Sequence, residues 1–170
     1  MLTQENRSAI EEKLRNYYKD VKQITIAEEE IQNLHQLKER LENNIKNCNI
    51  KIIPDANMGV GFDEKVQTSP TGISPQESQI VHQLEHQERQ VEQIKSNINK
   101  LLSEIADLET RNSSLKIILR KLGHIYIDII DMSYRKGMSN INIGLALHLS
   151  EKAIRKKKTE ALEAIYKLLN

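Results

Sequence analysis

The sequence predicts an all-α chain in which long coiled-coil helices lead into a small C-terminal helix-turn-helix domain. Three observations carry this. Apolar residues repeat in heptads from residue 80 to residue 122. A stretch rich in proline and glycine, 51–75, separates that helix from an earlier one with its own apolar stripe. Past residue 125, small, apolar and cap-forming residues fall at the spacing of two short helices joined by a tight turn. Composition agrees: 4% of the 170 residues are aromatic and none is Trp, while 29% are charged, which suits long solvated helices better than a thick globular core.

The first helix is predicted over about 4–50, within an N-terminal segment of 1–50. Ile10, Leu14, Tyr17, Val21, Ile24 and Ile31 recur at steps of three and four with Glu28 filling one slot, and Leu34, Leu41 and Ile45 continue the stripe after a register shift. Residues 51–75 hold all three prolines and three of the six glycines, so neither helix can run through them. They read as an irregular connector. The second helix, 76–122, carries two core series. Leu84, Val91, Ile98, Ile105 and Leu119 form one, and Ile80, Ile94, Leu101, Leu108, Leu115 and Leu122 the other. Gln87 and Asn112 are the polar entries. β-Branched residues in the first series, leucines in the second and one core Asn favour a parallel homodimer, with Leu84, Val91, Ile94, Ile98, Leu101, Ile105, Leu108, Asn112 and Leu115 at its seam. The competing arrangement is intramolecular, with the first helix folding back antiparallel on the second.

Gly123 is expected to end the long helix as a C′ residue. A support helix follows over 125–136, closed by Gly137, and then a short helix over 139–147, a turn at His148-Leu149 and a last helix over 150–169. Gly144 sits where two helices approach closely, and Ser139 and Ser150 stand at N-cap positions. Residues 123–170 thus form a separate domain in this reading.

Charge divides the chain. Residues 111–170 hold 12 Lys and Arg against 5 Asp and Glu, whereas residues 1–110 hold 13 against 19, although the whole nets only +1. The basic end coincides with the helix-turn-helix spacing, which points to double-stranded DNA as a partner. On the last helix Ile154, Ala161, Ile165 and Leu168 are expected to face inward. Glu151, Lys152, Arg155, Lys156 and Thr159 are placed to meet base edges from the N-terminal half of that helix. Arg135, Lys136, Ser139, Ser150, Lys157 and Lys158 are placed to meet phosphates.

Other patterns exclude more than they suggest. His82 and His86 lie four apart, but no Cys or carboxylate at ligand spacing completes a metal site. Asp128 and Asp131 share a face without a nucleophile or pocket, and Asp131 is expected to pair with a local base or N–H. Gly59-Val60-Gly61 lacks the strand and helix that a phosphate loop needs. Neither catalysis nor a cofactor is expected. The single Cys48 excludes an intrachain disulfide. With no apolar run near the length of a membrane span and no apolar N-terminal leader, the expectation is a cytoplasmic protein without membrane contact, associated with the nucleoid.

The segment 129–162 resembles region four of bacterial sigma factors. Ile129, Ile130, Asp131, Met132, Tyr134, Gly137, Ser139, Ile143, Leu147, Ser150, Ile154, Ala161 and Leu162 fall on its pattern or carry similar residues. His148 stands in place of the turn glycine and Gly144 in place of alanine. The wider layout, a helical arm, the segment GVGFDEKVQTSPTG and a long charged helix running into the sigma-like end, is similar to the RinA/ArpU family of phage-encoded late-transcription activators. That resemblance implies a sequence-specific activator of phage or prophage late genes that acts with host RNA polymerase. A coiled-coil assembly protein, such as a small-terminase-like DNA adaptor for packaging, is the alternative.

Overall fold

The structure is a computed structural model that describes residues 3–49 and 75–169. It comprises α1 (Gln4–Lys46), α2 (Pro75–Lys121), α3 (His124–Ile130) running on into a π-helical turn at Asp131–Arg135, α4 (Asn140–Leu147) and α5 (Glu151–Leu169). Among the described residues there is no strand. Among the described residues no helix is long and apolar enough to cross a membrane. The expected connector lies outside the described residues except for Pro75, which opens α2 at the first helical position, where a missing N–H costs nothing.

The chain divides into two compact units. One unit joins Met1–Glu28 with Leu102–Asn170, and the other is Glu29–Leu101. In the first, two apolar clusters form the core. Ile129, Ile143 and Ile154 make the smaller, with Ile125, Met132, Met138, Leu147 and Leu149 packed around them. This cluster ties α3, α4 and the start of α5 together. The larger joins Ile10 and Leu14 of α1, Leu115, Ile118, Leu119 and Leu122 of the α2 end, Ile130 of α3, and Ala161, Leu162 and Ile165 of α5. The inner face of α5 is therefore covered by α1 and the end of α2 as well as by α3 and α4. Leu162 is fully buried on that face, while Leu168, expected to point inward, is 47% exposed.

A polar contact sets the register of α1 on α2 within this unit. Asp20 is 5% exposed and Asn112 8%. The Asn112 amide donates to Asp20 Oδ2 at 2.9 Å, and the Arg111 guanidinium reaches the same oxygen at 2.7 Å. Further along, the Asn6 amide donates to the Tyr166 hydroxyl at 3.1 Å. Residue 20 thus meets 112 while residues 10 and 14 meet 115–122, so this part of α1 runs antiparallel to α2. Sliding either helix by one residue would leave a buried carboxylate and a buried amide unpaired, at a cost of about 1–3 kcal/mol for each group.

In the second unit Val91, Ile94 and Ile98 of α2 are buried. Ile45 of α1 lines the same surface as Val91. Of the residues placed at a dimer seam, Val91, Ile94, Ile98, Asn112 and Leu115 are buried, and Leu84, Leu101, Ile105 and Leu108 are half-buried. They find this cover within one chain, as in the intramolecular alternative, and Asn112 has Asp20 as its partner rather than a second Asn112. A parallel homodimer through this seam would first have to displace α1.

Because Leu14 is fully buried in the same cluster as Leu162 and Ile165, Leu14→Ala is expected to cost about 2–5 kcal/mol. Urea unfolding followed at Tyr126 or Tyr166 should show the whole first unit weakened. Unchanged α3–α5 stability in that variant would show that the helical end stands without α1.

Candidate nucleic-acid interface

Between α4 and α5 the chain turns in three residues, His148 to Ser150. Ser139 caps α4, its Oγ accepting the Asn142 N–H at 3.3 Å, and Ser150 caps α5, its Oγ accepting the Ala153 N–H at 3.2 Å. Each hydroxyl keeps its own O–H free to donate outward. His148 closes α4 in the left-handed region at φ 54° and ψ 39°, as expected for the residue standing in the turn-glycine position. The Leu149 N–H then returns to the Gly144 carbonyl at 2.9 Å. A Cβ on Gly144 would lie 2.6 Å from the Leu149 carbonyl oxygen, so the turn fits only over a residue with no side chain. The small residue expected here is thus required by backbone contact, more strictly than helix packing alone demanded.

The preceding elements depart from expectation in two places. Gly123 is not a left-handed C′ residue: at φ −65° and ψ 148° it is extended and forms the N-cap position of α3. The support helix changes to a π turn at Asp131–Arg135, with the Lys136 N–H bonded to the Asp131 carbonyl. Gly137, at φ +65°, ends it. Asp131 pairs with Arg135 at 3.4 Å, the local base expected for it.

The outer face of α5 carries Lys152, Arg155 and Lys156, all exposed, with Glu151 and Thr159 half-buried beside them. Glu151 Oε1 accepts from both Nε and Nη2 of Arg155, at 3.0 and 2.6 Å. The Thr159 hydroxyl donates to the Arg155 carbonyl at 3.0 Å, and Lys156 lies 4.0 Å from Glu160. Arg135, Lys136, Ser139 and Ser150 are exposed around this face.

The remaining two lysines behave differently. Lys157 is half-buried with its ammonium 5.6 Å from the Tyr126 ring centroid, its stem lying along apolar surface. Lys158 turns further in. Its ammonium donates to the Ser133 hydroxyl at 2.7 Å and sits 4.5 Å over the Tyr134 ring. Burial pushes this ammonium below its ordinary pKa, with the Glu11 carboxylate of α1 opposing the shift. The Tyr134 hydroxyl beneath it is buried without a hydrogen-bond partner. Burial and then the negative charge of the nearby Glu11 push its pKa up. Lys158, expected at a phosphate, thus makes an internal contact in the free chain: the π turn places Ser133 and Tyr134 where the lysine folds back onto them. Nothing in a run of four basic residues announces which of them points inward.

A feature that the sequence reading passed over is the apolar outer face of α4, where Ile141 and Leu145 are 59% and 72% exposed. Their spacing of four was legible, but a helix of mostly apolar residues reads equally well as buried. Among the described residues no group of three or more His, Cys, Asp and Glu side chains could hold a metal ion. No family model, curated protein or solved structure matches this chain.

Two stability measurements check this geometry. Gly144→Ala forces the Leu149 carbonyl aside and should cost about 1–3 kcal/mol; a variant as stable as the parent in thermal unfolding would contradict the close approach. Lys158→Ala should lower stability by about 1 kcal/mol and leave the salt dependence of any DNA binding unchanged. A salt slope reduced by about one would instead return Lys158 to the phosphate-facing set.

Proposed function

We propose that this protein is a sequence-specific DNA-binding protein that reads the major groove with α5. The observation that carries the reading is the joint occurrence of a tight α4–α5 turn and an exposed basic surface at the start of α5. The turn needs Gly144 and a left-handed His148. The surface holds Lys152, Arg155 and Lys156 with no apolar residue among them. A helix that is anchored on one face and cationic on the other suits a groove lined with acceptors and flanked by phosphates. Lys152 and Lys156 are placed for phosphate or base acceptors, Arg155 for a guanine edge, and Arg135 and Lys136 for the adjoining backbone.

The likeness of residues 129–162 to sigma region four supports a transcription activator, and the wider layout supports one acting on phage late genes with host RNA polymerase as a second partner. A single helix covers only a short half-site. We therefore propose that two copies, each folded on its own α1, occupy half-sites about 34 Å apart or a multiple of it.

Selection from a random duplex library, followed by fluorescence anisotropy on the enriched site, tests this. Lys152→Ala and Lys156→Ala should each weaken binding, and Arg155→Ala should reduce discrimination against random duplex by about 1–3 kcal/mol. Failure to enrich any site, with affinity equal for all duplexes at every salt concentration, would end the reading.

A further inference from the structure

From the pairing on the first turn of α5 we infer that Glu151 is a positioning residue, one that fixes Arg155 so that it recognises guanine. The inference rests on the proposed DNA-binding role and specifies which base that site prefers. A guanidinium has two edges that can donate in pairs, the side edge of Nε with Nη2 and the end edge of Nη1 with Nη2. Glu151 Oε1 takes both donors of the side edge, at 3.0 and 2.6 Å. What remains is the end edge, two parallel N–H groups on a guanidinium that can no longer swing freely. Guanine is the base whose major-groove edge offers two adjacent acceptors, N7 and O6, to such a fork.

Both residues belong to the helix start that enters the groove, and Arg155 is exposed. An unpaired arginine on an exposed helix face samples many rotamers and meets phosphates as readily as bases. Held by Glu151, it loses that choice before DNA arrives, and the ordering cost of binding falls. The carboxylate also repels phosphate oxygens from this spot, so the pair disfavours backbone contact while favouring the base. This role differs from a direct base contact by Glu151, because here Oε1 acts on Arg155 rather than on a base.

The experiment compares base preference with affinity. The full chain and its Glu151→Ala and Arg155→Lys variants, each checked for parental helicity by circular dichroism, are put through the same duplex selection. The parent should show one position strongly preferring guanine, and 7-deazaguanine there should weaken its binding about tenfold. In Glu151→Ala that preference should largely disappear and 7-deazaguanine should become nearly silent, even though removing a negative charge raises affinity for random duplex. Arg155→Lys should lose the same position, since an ammonium has no paired edge.

If Glu151→Ala keeps the guanine preference and the 7-deazaguanine penalty, Glu151 merely serves the helix start and the inference fails while DNA binding stands. A parent that selects a site with no guanine dependence in the half-site overturns the inference in the same way. A parent that selects nothing overturns the DNA-binding reading beneath it, a separate and recognisable outcome.

Discussion

Everything at the C-terminal end depends on how the inner face of α5 is kept from water. Ala161, Leu162 and Ile165 are fully buried, and α3 supplies only part of their cover, through Ile130. The rest comes from Ile10 and Leu14 of α1 and from Leu115, Ile118, Leu119 and Leu122 of α2. Each fully buried leucine or isoleucine contributes about 1.5–3 kcal/mol. The outer, basic face of α5 is therefore presented by packing that begins more than a hundred residues upstream. Asp20, Asn112 and Arg111 make that packing specific, since one register alone satisfies the buried carboxylate and amide together.

The same organisation sorts the positive charges. Four consecutive basic residues, 155–158, occupy four directions 100° apart, so they cannot share one surface. Arg155 and Lys156 stay outside, while Lys157 and Lys158 lie against tyrosines of α3 and the π turn. Only part of the basic surplus counted in the sequence is therefore available to a polyanion. The negative charge of Glu11 is likewise engaged inside, facing Lys158 and Tyr134 while also pairing with Arg7 and Arg15.

Features governed by neighbours within a few residues were legible from sequence. The serine caps, the left-handed His148, the small residue at 144 and the glycine ending at 137 follow from backbone rules that act locally. The all-helical class and the two long stripes followed from periodicity. What escaped depended on partners distant in the chain. Heptads state that a seam must be covered, but not whether a second chain or α1 covers it, and a core Asn serves either arrangement. The inward turn of Lys158 requires the π turn, which no residue pattern announces. Leu162 rather than Leu168 lies on the buried face, in the cluster that α1, the end of α2 and α3 share with α5. Of the proposed interface, the identity of the basic residues was readable, whereas the coupling of Glu151 to Arg155 needed side-chain geometry.

Cover drawn from the two ends of the chain also has a consequence in time. Ile10 and Ile165 share a core but are separated by most of the polypeptide, so their meeting closes a long loop and belongs to the slow class of contacts. At a synthesis rate of roughly 5–20 residues per second, the apolar stripe of α1 is made roughly 8–30 s before its α5 partner exists. Until then Ile10 and Leu14 have at most the end of α2 to pack against. A chain interrupted before α5 would keep both long helices and still leave this sticky surface open, which makes incomplete copies natural clients for chaperones and proteases.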